Sequence, residues 1–214
     1  MGEMQRWFLI PLSDRNWWLK NLIGGVVSFL PVVGWLAGGY EVEVIRNTQR
    51  GKPSMPEWDD WLRKFVDGLM VSLIYFVYLL VPMIIGLQGA NDAAGRIPGL
   101  TGISGGSLFG KSILANALAF VFGAFVPFGI VNFASSGSLK SAFQARAILR
   151  DIQKVAPWYI LCYAVFLAVS WMIAAALQML PAGTLLSSFA NFYLQVVFSG
   201  IFAELHLEAK RLPG

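Results

Sequence analysis

Four long, nearly uncharged apolar runs dominate the chain: Phe65–Leu87, Leu108–Phe133, Pro157–Leu180 and Leu185–Ala203. About 20 apolar residues suffice for a helix to cross a bilayer. In hydrocarbon every backbone N–H and C=O must find its partner within the segment, so each run reads as a helix. Outer-membrane strands are excluded, because they alternate polar and apolar residues over about ten positions, and ILANALAFVFGAF does not alternate. Composition agrees: 57% of the 214 residues are hydrophobic and 13% charged, against about 25% charged in a soluble domain. The fold class is therefore all-α, a polytopic transmembrane helical bundle forming a single membrane domain over residues 1–214.

Asn21–Gly39, NLIGGVVSFLPVVGWLAGG, is harder to place. It is barely long enough to cross, and Pro31 removes a helical hydrogen bond at its middle. One reading is a kinked crossing and the other a re-entrant hairpin, giving four to five crossings in all. Short cytoplasmic connections carry excess Lys and Arg. That rule puts Arg46, Arg50, Lys52, Arg63 and Lys64 inside, together with Lys140, Arg146, Arg150 and Lys154. The C-terminus, with Lys210 and Arg211, then falls in the cytoplasm. Arg6, Arg15 and Lys20 also fall inside only if the first segment re-enters. An echo between SFLPVVGWLAGG and AFVPFGIVNFASSG favours a full crossing and parallel repeats instead.

The two charged connections read as interfacial helices. In EWDDWLRKFVDG, Trp58, Trp61, Leu62 and Phe65 share a face by three-and-four spacing. Ser54 and Glu57 suggest a capping box, and Asp60–Lys64 an i,i+4 pair. In the second connection, Ala145, Ile148, Leu149, Ile152 and Val155 form one face, while Arg146, Arg150 and Lys154 lie on another. Basic amphipathic helices of this kind suit a surface of anionic phospholipids. A nucleic-acid site needs a broader basic surface.

Within GYEVEVIRNTQRGKPSMPEWDDWLRKFVDGL, Gly39-Tyr40, Ile45-Arg46, Arg50-Gly51, the run Pro56-Glu57-Trp58-Asp59-Asp60, Phe65, Asp67 and Gly68 form a distinctive pattern. In these residues the chain resembles the uncharacterised prokaryotic integral membrane family catalogued as domain of unknown function 4013. The resemblance implies a multi-pass protein of the prokaryotic cytoplasmic membrane. It makes Tyr40, Pro56, Glu57, Asp59, Asp60, Asp67 and Gly68 the motif positions, and it transfers no catalytic role.

Other constellations are weaker. GGSLFGKS at 105–112 matches a phosphate-loop pattern, but it precedes a crossing and lacks the strand such a loop follows. Glu204, His206 and Glu208 do not converge on one helix face, so no metal ligand set is expected, and no cofactor is implied. Cys162 is the only cysteine and sits in an apolar run. Ala115, Ala119 and Gly123 make a small-residue ridge suited to close helix packing. Ser187, Asn191, Gln195 and Ser199 repeat every four residues on the last crossing. Such polar side chains turn inward and seek partners.

Three functions follow in order. The first is a non-catalytic scaffold or accessory subunit touching lipid and a membrane protein partner, or a second copy of itself, through Arg46, Arg50, Trp58, Trp61, Arg63, Lys64, Arg146, Arg150 and Lys154. The second is a small transporter or channel component with a polar path along the last helix. Against it stands the lack of any charged residue central to a crossing. A membrane-embedded enzyme is third.

Overall fold

A computed structural model describes residues 8, 11–12, 14–90, 113–177 and 180–212. Among them the chain is helical and contains no strand. Helices α1 (Trp17–Phe29) and α2 (Trp35–Gln49) are joined by a tight turn. Helix α3 (Trp61–Ala90) follows, then α4 (Ile113–Gly123) and α5 (Val126–Ser136). A short 3-10 helix (Leu139–Phe143) leads into α6 (Ala145–Lys154), α7 (Ala156–Leu177) and α8 (Gly183–Arg211). Among the described residues four stretches are long and apolar enough to cross a membrane: Trp61–Gly86, Ile113–Ser136, Ala156–Leu177 and Gly183–Arg211.

The first apolar segment is not a fifth crossing. Its helix stops before Pro31, and Val32 takes the left-handed conformation at φ 68°, which a β-branched residue adopts only under tertiary constraint. The arms have 13 and 15 residues, about 20 and 22 Å at 1.5 Å per residue, against a hydrocarbon core of about 30 Å. Beyond the turn the chain doubles back. Lys20, at the start of α1, donates from Nζ to the Met55 carbonyl at 3.1 Å, and Trp58 Nε1 donates to the Lys20 carbonyl at 3.0 Å. Both ends of the hairpin thus meet the same strap. This hairpin has the geometry that the re-entrant reading requires, and the echo with AFVPFGIVNFASSG is one of proline-broken helices. In the second copy the break is mild: Pro127 sits in the first turn of α5, where a missing N–H is tolerated, and α4 and α5 together make one span.

The first charged connection also departs from the expected helix. The helix begins at Trp61, and residues 52–60 form an irregular strap. Ser54 Oγ turns back to the Lys52 carbonyl at 3.4 Å instead of capping. Lys64 pairs with Asp59 and Glu43, not with Asp60. Two causes are local. Proline disfavours helical backbone in the residue before it, which applies to Lys52 before Pro53 and Met55 before Pro56. Burial completes the effect, since Met55 is 5% exposed and Tyr40 Oη donates to the Pro56 carbonyl at 2.8 Å. The second connection does form the expected amphipathic helix, α6, with Ile148 and Val155 buried and Arg146 and Arg150 exposed. Its predicted apolar face is partly shifted: Leu149 is 44% exposed and Asp151 is buried.

Helices α2 and α3 run antiparallel with their backbones nearly touching. Trp35 lies opposite Gly68 and Gly39 opposite Lys64. A Cβ on Gly39 would sit 1.8 Å from the Lys64 carbonyl oxygen, and one on Gly68 1.6 Å from that of Trp35. No side chain fits at either position. Helix α8 packs against both arms of the hairpin, with Phe192 at Gly24 and against Tyr40. The ends of α2, α5 and α8 gather at one charged end of the bundle. Gln49 donates to Ser135 at 2.6 Å, and Lys210 to Asp151 at 2.6 Å.

Gly68→Ala is expected to force α2 and α3 apart. The strain is of the overpacking kind, about 1–3 kcal/mol, read as a lower unfolding temperature in mild detergent. Lys52→Ala, at an exposed site, should leave that temperature unchanged. Equal temperatures for the two variants would contradict the close crossing.

Candidate functional site

The motif residues of the charged connection are mostly consumed by one another. Arg46 makes a two-pronged pair with Asp67: Nη1 with Oδ2, and Nη2 to Oδ1 at 3.2 Å. Its Nε donates to the Ala134 carbonyl at 3.2 Å, so one guanidinium ties α2, α3 and α5. Lys64 is 2% exposed and reaches Glu43 at 2.6 Å and Asp59 at 3.0 Å. Lys20 is 3% exposed and reaches Asp14 and Glu57, each at 2.7 Å. Tyr40, fully buried, stacks on Trp58 at 4.6 Å, which in turn stacks on Trp61 at 5.6 Å. The cleft between Arg46, Arg63, Lys64 and Asp67 has about 20 Å³ of space, room for roughly one water. This cluster is a frame and has no room for a ligand. Of the residues expected at a lipid or partner surface, Arg46 and Lys64 face inward and Trp58 is half-buried. Arg50, Trp61, Arg63, Arg146 and Arg150 are exposed, and Lys154 holds the Leu212 carbonyl at 2.8 Å. Asp59 and Asp60 are exposed on the strap, and Pro56 and Gly68 are buried.

Charge state follows this geometry at Asp14 and Lys20. Burial raises the Asp14 carboxyl, but the bonds from Lys20 and the Asn16 N–H outweigh it and hold the group below its ordinary 3.8. Burial lowers the Lys20 ammonium, and its two carboxylate partners outweigh that and raise it.

A different residue opens onto space. Glu41 lies on α2, 8% exposed, and points away from the charged frame. Its Oε2 accepts from Gln195 Nε2 at 2.7 Å, and its Oε1 lies 3.0 Å from Ser199 Oγ. Both partners belong to the polar stripe of α8. Among the described residues no cation pairs with this carboxyl. It borders a cavity of about 540 Å³ between α3, α4, α5, α7 and α8, within the roughly 300–1,000 Å³ of small-molecule sites. Aromatic residues line much of it, including Tyr75, Phe120, Tyr163, Phe166 and Trp171, with Asn191 among the polar ones. Of the small-residue ridge, Ala115 is buried while Ala119 and Gly123 line the cavity. Gly123 leaves room for the Tyr163 hydroxyl, which a Cβ there would meet at 2.5 Å. Ser187 donates to its own helix at the Thr184 carbonyl, 2.8 Å away. The stripe therefore splits, with Asn191, Gln195 and Ser199 on the cavity.

Sequence reading placed Glu41 in the charged connection and counted no acid central to the bundle. The re-entrant arm carries it there. One signal was available: Ala37, Glu41, Val44 and Thr48 follow the i, i+4, i+7, i+11 spacing of a single face, and all four are buried. A second polar contact, Asp151 with Lys210 at 2.6 Å, pins α6 to α8, and the buried His206 Nε2 lies 3.7 Å from Asp151 without a hydrogen bond. No group of three potential metal ligands occurs among the described residues. The GGSLFGKS stretch lies outside them.

The family profile described as a protein of unknown function, DUF4013, matches residues 23–185. The chain belongs to that family. No curated protein and no solved structure matches it.

Two outcomes follow from the frame. Arg46→Met and Asp67→Leu should each destabilise by about 1–3 kcal/mol, because each leaves a half-buried charge without its two-pronged partner, with Arg63 still 3.9 Å from Asp67 in the first. The double variant should lose clearly less than their sum, as a double-mutant cycle in detergent would reveal. Asp14 adds stability that is present above its unfolded value and lost as pH falls through the lowered folded one. Asp14→Asn should therefore flatten the decline in unfolding temperature below pH 3.8. An unchanged acid limb would remove Asp14 from the frame.

Proposed function

We propose that this DUF4013 member is a small-molecule-binding membrane protein, the binding component of a carrier, with its site in the cavity around Glu41. The observation that carries the reading is one carboxyl, held by Gln195 and Ser199, at the wall of a 540 Å³ space. Bundle cores that serve only for adhesion are filled to native density. Ligand sites are mostly apolar and hold a few polar groups that fix orientation. The polar path expected along α8 therefore has a terminus, and the objection from missing intramembrane charge falls away. The prokaryotic cytoplasmic membrane, with the charged end inside, is the setting that the Lys and Arg distribution favours.

A scaffold function rests on a separate observation. Arg146 and Arg150 stand exposed on α6 at the charged end, where an anionic leaflet attracts bases at about 1 kcal/mol each. We assign this face to anionic phospholipid, and it is compatible with a ligand site deeper in the bundle.

Filling the cavity tests the main reading. Ala119→Trp places an indole on the α4 wall. A panel of cationic, anionic and neutral amphiphiles should contain members that raise the unfolding temperature of the purified wild type saturably. Stabilisation of about 2.7 kcal/mol is expected at a hundredfold excess over Kd. The variant should fold and respond to none of them. A wild type indifferent to the whole panel, or a variant responding equally well, would defeat the reading.

A further inference from the structure

We infer that the cavity accepts a lipophilic monocation, an ammonium-type charge on an apolar or aromatic body, and that it does so in exchange for a proton on Glu41. The inference rests on the binding reading above and adds the ligand class. Its basis is the hydrogen-bond arithmetic around Ser199. Ser199 Oγ lies 2.6 Å from the Gln195 carbonyl and 3.0 Å from Glu41 Oε1. A serine hydroxyl has one proton to donate, so with Glu41 ionised the two acceptors compete for it. A protonated Glu41 resolves the conflict: its O–H donates to Ser199 Oγ, and Ser199 donates to the Gln195 carbonyl. Oε2 still accepts from Gln195 Nε2. Every polar group around Glu41 is then satisfied in a neutral chain of hydrogen bonds.

Ionised, the same carboxylate is buried without a countercharge, which is costly unless a cation supplies one. The titratable groups facing it are Tyr75 from α3 and Tyr163 from α7. Both are neutral at physiological pH. Helix α8 contributes the neutral Gln195 and Ser199, and no titratable residue of α4 or α5 lines the cavity among the described residues. Among the described residues none supplies the countercharge, and a cationic ligand would. One carboxylate balances one positive charge. A divalent metal would need about six oxygen ligands, and no second carboxylate lines the space. The aromatic walls supply ring faces for a cation and apolar area for its substituents. The step balances as protonated Glu41 plus a free monocation giving the carboxylate–cation pair plus one released proton.

Tetraphenylphosphonium and tetraphenylborate test this, having similar shape and opposite charge. With the purified full chain in mild detergent, radiolabelled tetraphenylphosphonium should bind saturably and release one proton. Its affinity should rise about tenfold per pH unit over the range where Glu41 is protonated. Tetraphenylborate should not compete. Glu41→Gln keeps a partner for both Gln195 and Ser199, and it should lose at least about tenfold in affinity together with the pH dependence. If that variant fails to fold, Glu41→Asp serves, with weaker binding and the pH dependence retained. Equal competition by tetraphenylborate, or pH-dependent binding unaltered in Glu41→Gln, overturns the inference. If neutral or anionic amphiphiles bind in an Ala119→Trp-sensitive manner while the phosphonium does not, the ligand class is wrong and the cavity reading stands. If nothing binds, both fail.

Discussion

The carbonyl oxygen of Lys64 occupies the place where a side chain on Gly39 would begin, and the carbonyl of Trp35 does the same to Gly68. Most of the architecture hangs on that contact. Lipid tails are as apolar as leucine, so helices in a membrane gain little from hiding apolar surface and adhere through close packing and polar pairs. Two side-chain-free positions let α2 and α3 approach closely enough for the ion pairs around them to form. Arg46 then reaches Asp67 and the end of α5, and Lys64 reaches Glu43. Helix α2, at 15 residues, is shorter than a crossing needs, and these bonds hold it against α3 and α5.

The hairpin brings two kinds of charge into the protein. One kind is paired at the charged end, where Lys20, Arg46 and Lys64 meet acids from neighbouring elements. Breaking such a pair costs more than making it gains, because the survivor is left unpaired. Paired in this way, the charges fix geometry more than they add net stability. The other kind is Glu41, two residues beyond Gly39, which among the described residues meets the neutral Gln195 and Ser199. The same helix thus has an anchored face and a face toward the cavity. The difference between the two separates frame from site.

Much of this was legible in the residues. The four crossings follow from run length and backbone satisfaction. The re-entrant segment was favoured by the bases on both sides of it, with Pro31 marking its break. The motif positions Tyr40, Pro56, Asp67 and Gly68 all fall in the frame, so the family pattern reads as the record of a tertiary lock. Other features were hidden. Lys64 and Asp60 look like an i,i+4 pair on a solvated helix face, yet residues 52–60 are not helical, so periodicity does not report which acid Lys64 meets. Glu41 sits among Val42, Glu43 and Val44 and reads as the start of a polar connection. Its cover comes from α8, more than 150 positions away in sequence; the Ala37–Thr48 spacing marks a face but not what packs on it. The stripe of Gln195 and Ser199 pointed to a partner without naming it.

The account stands on the first segment entering and leaving on one side. The most direct measurement is labelling by a membrane-impermeant maleimide in vesicles of known orientation. Single cysteines would be placed by Arg15→Cys or Lys52→Cys in a Cys162→Ser background. The re-entrant hairpin predicts that both positions react from the same side of the membrane. Labelling of position 15 from one side and position 52 from the other would make the segment a full crossing, and would remove the hairpin that delivers Glu41 to the cavity.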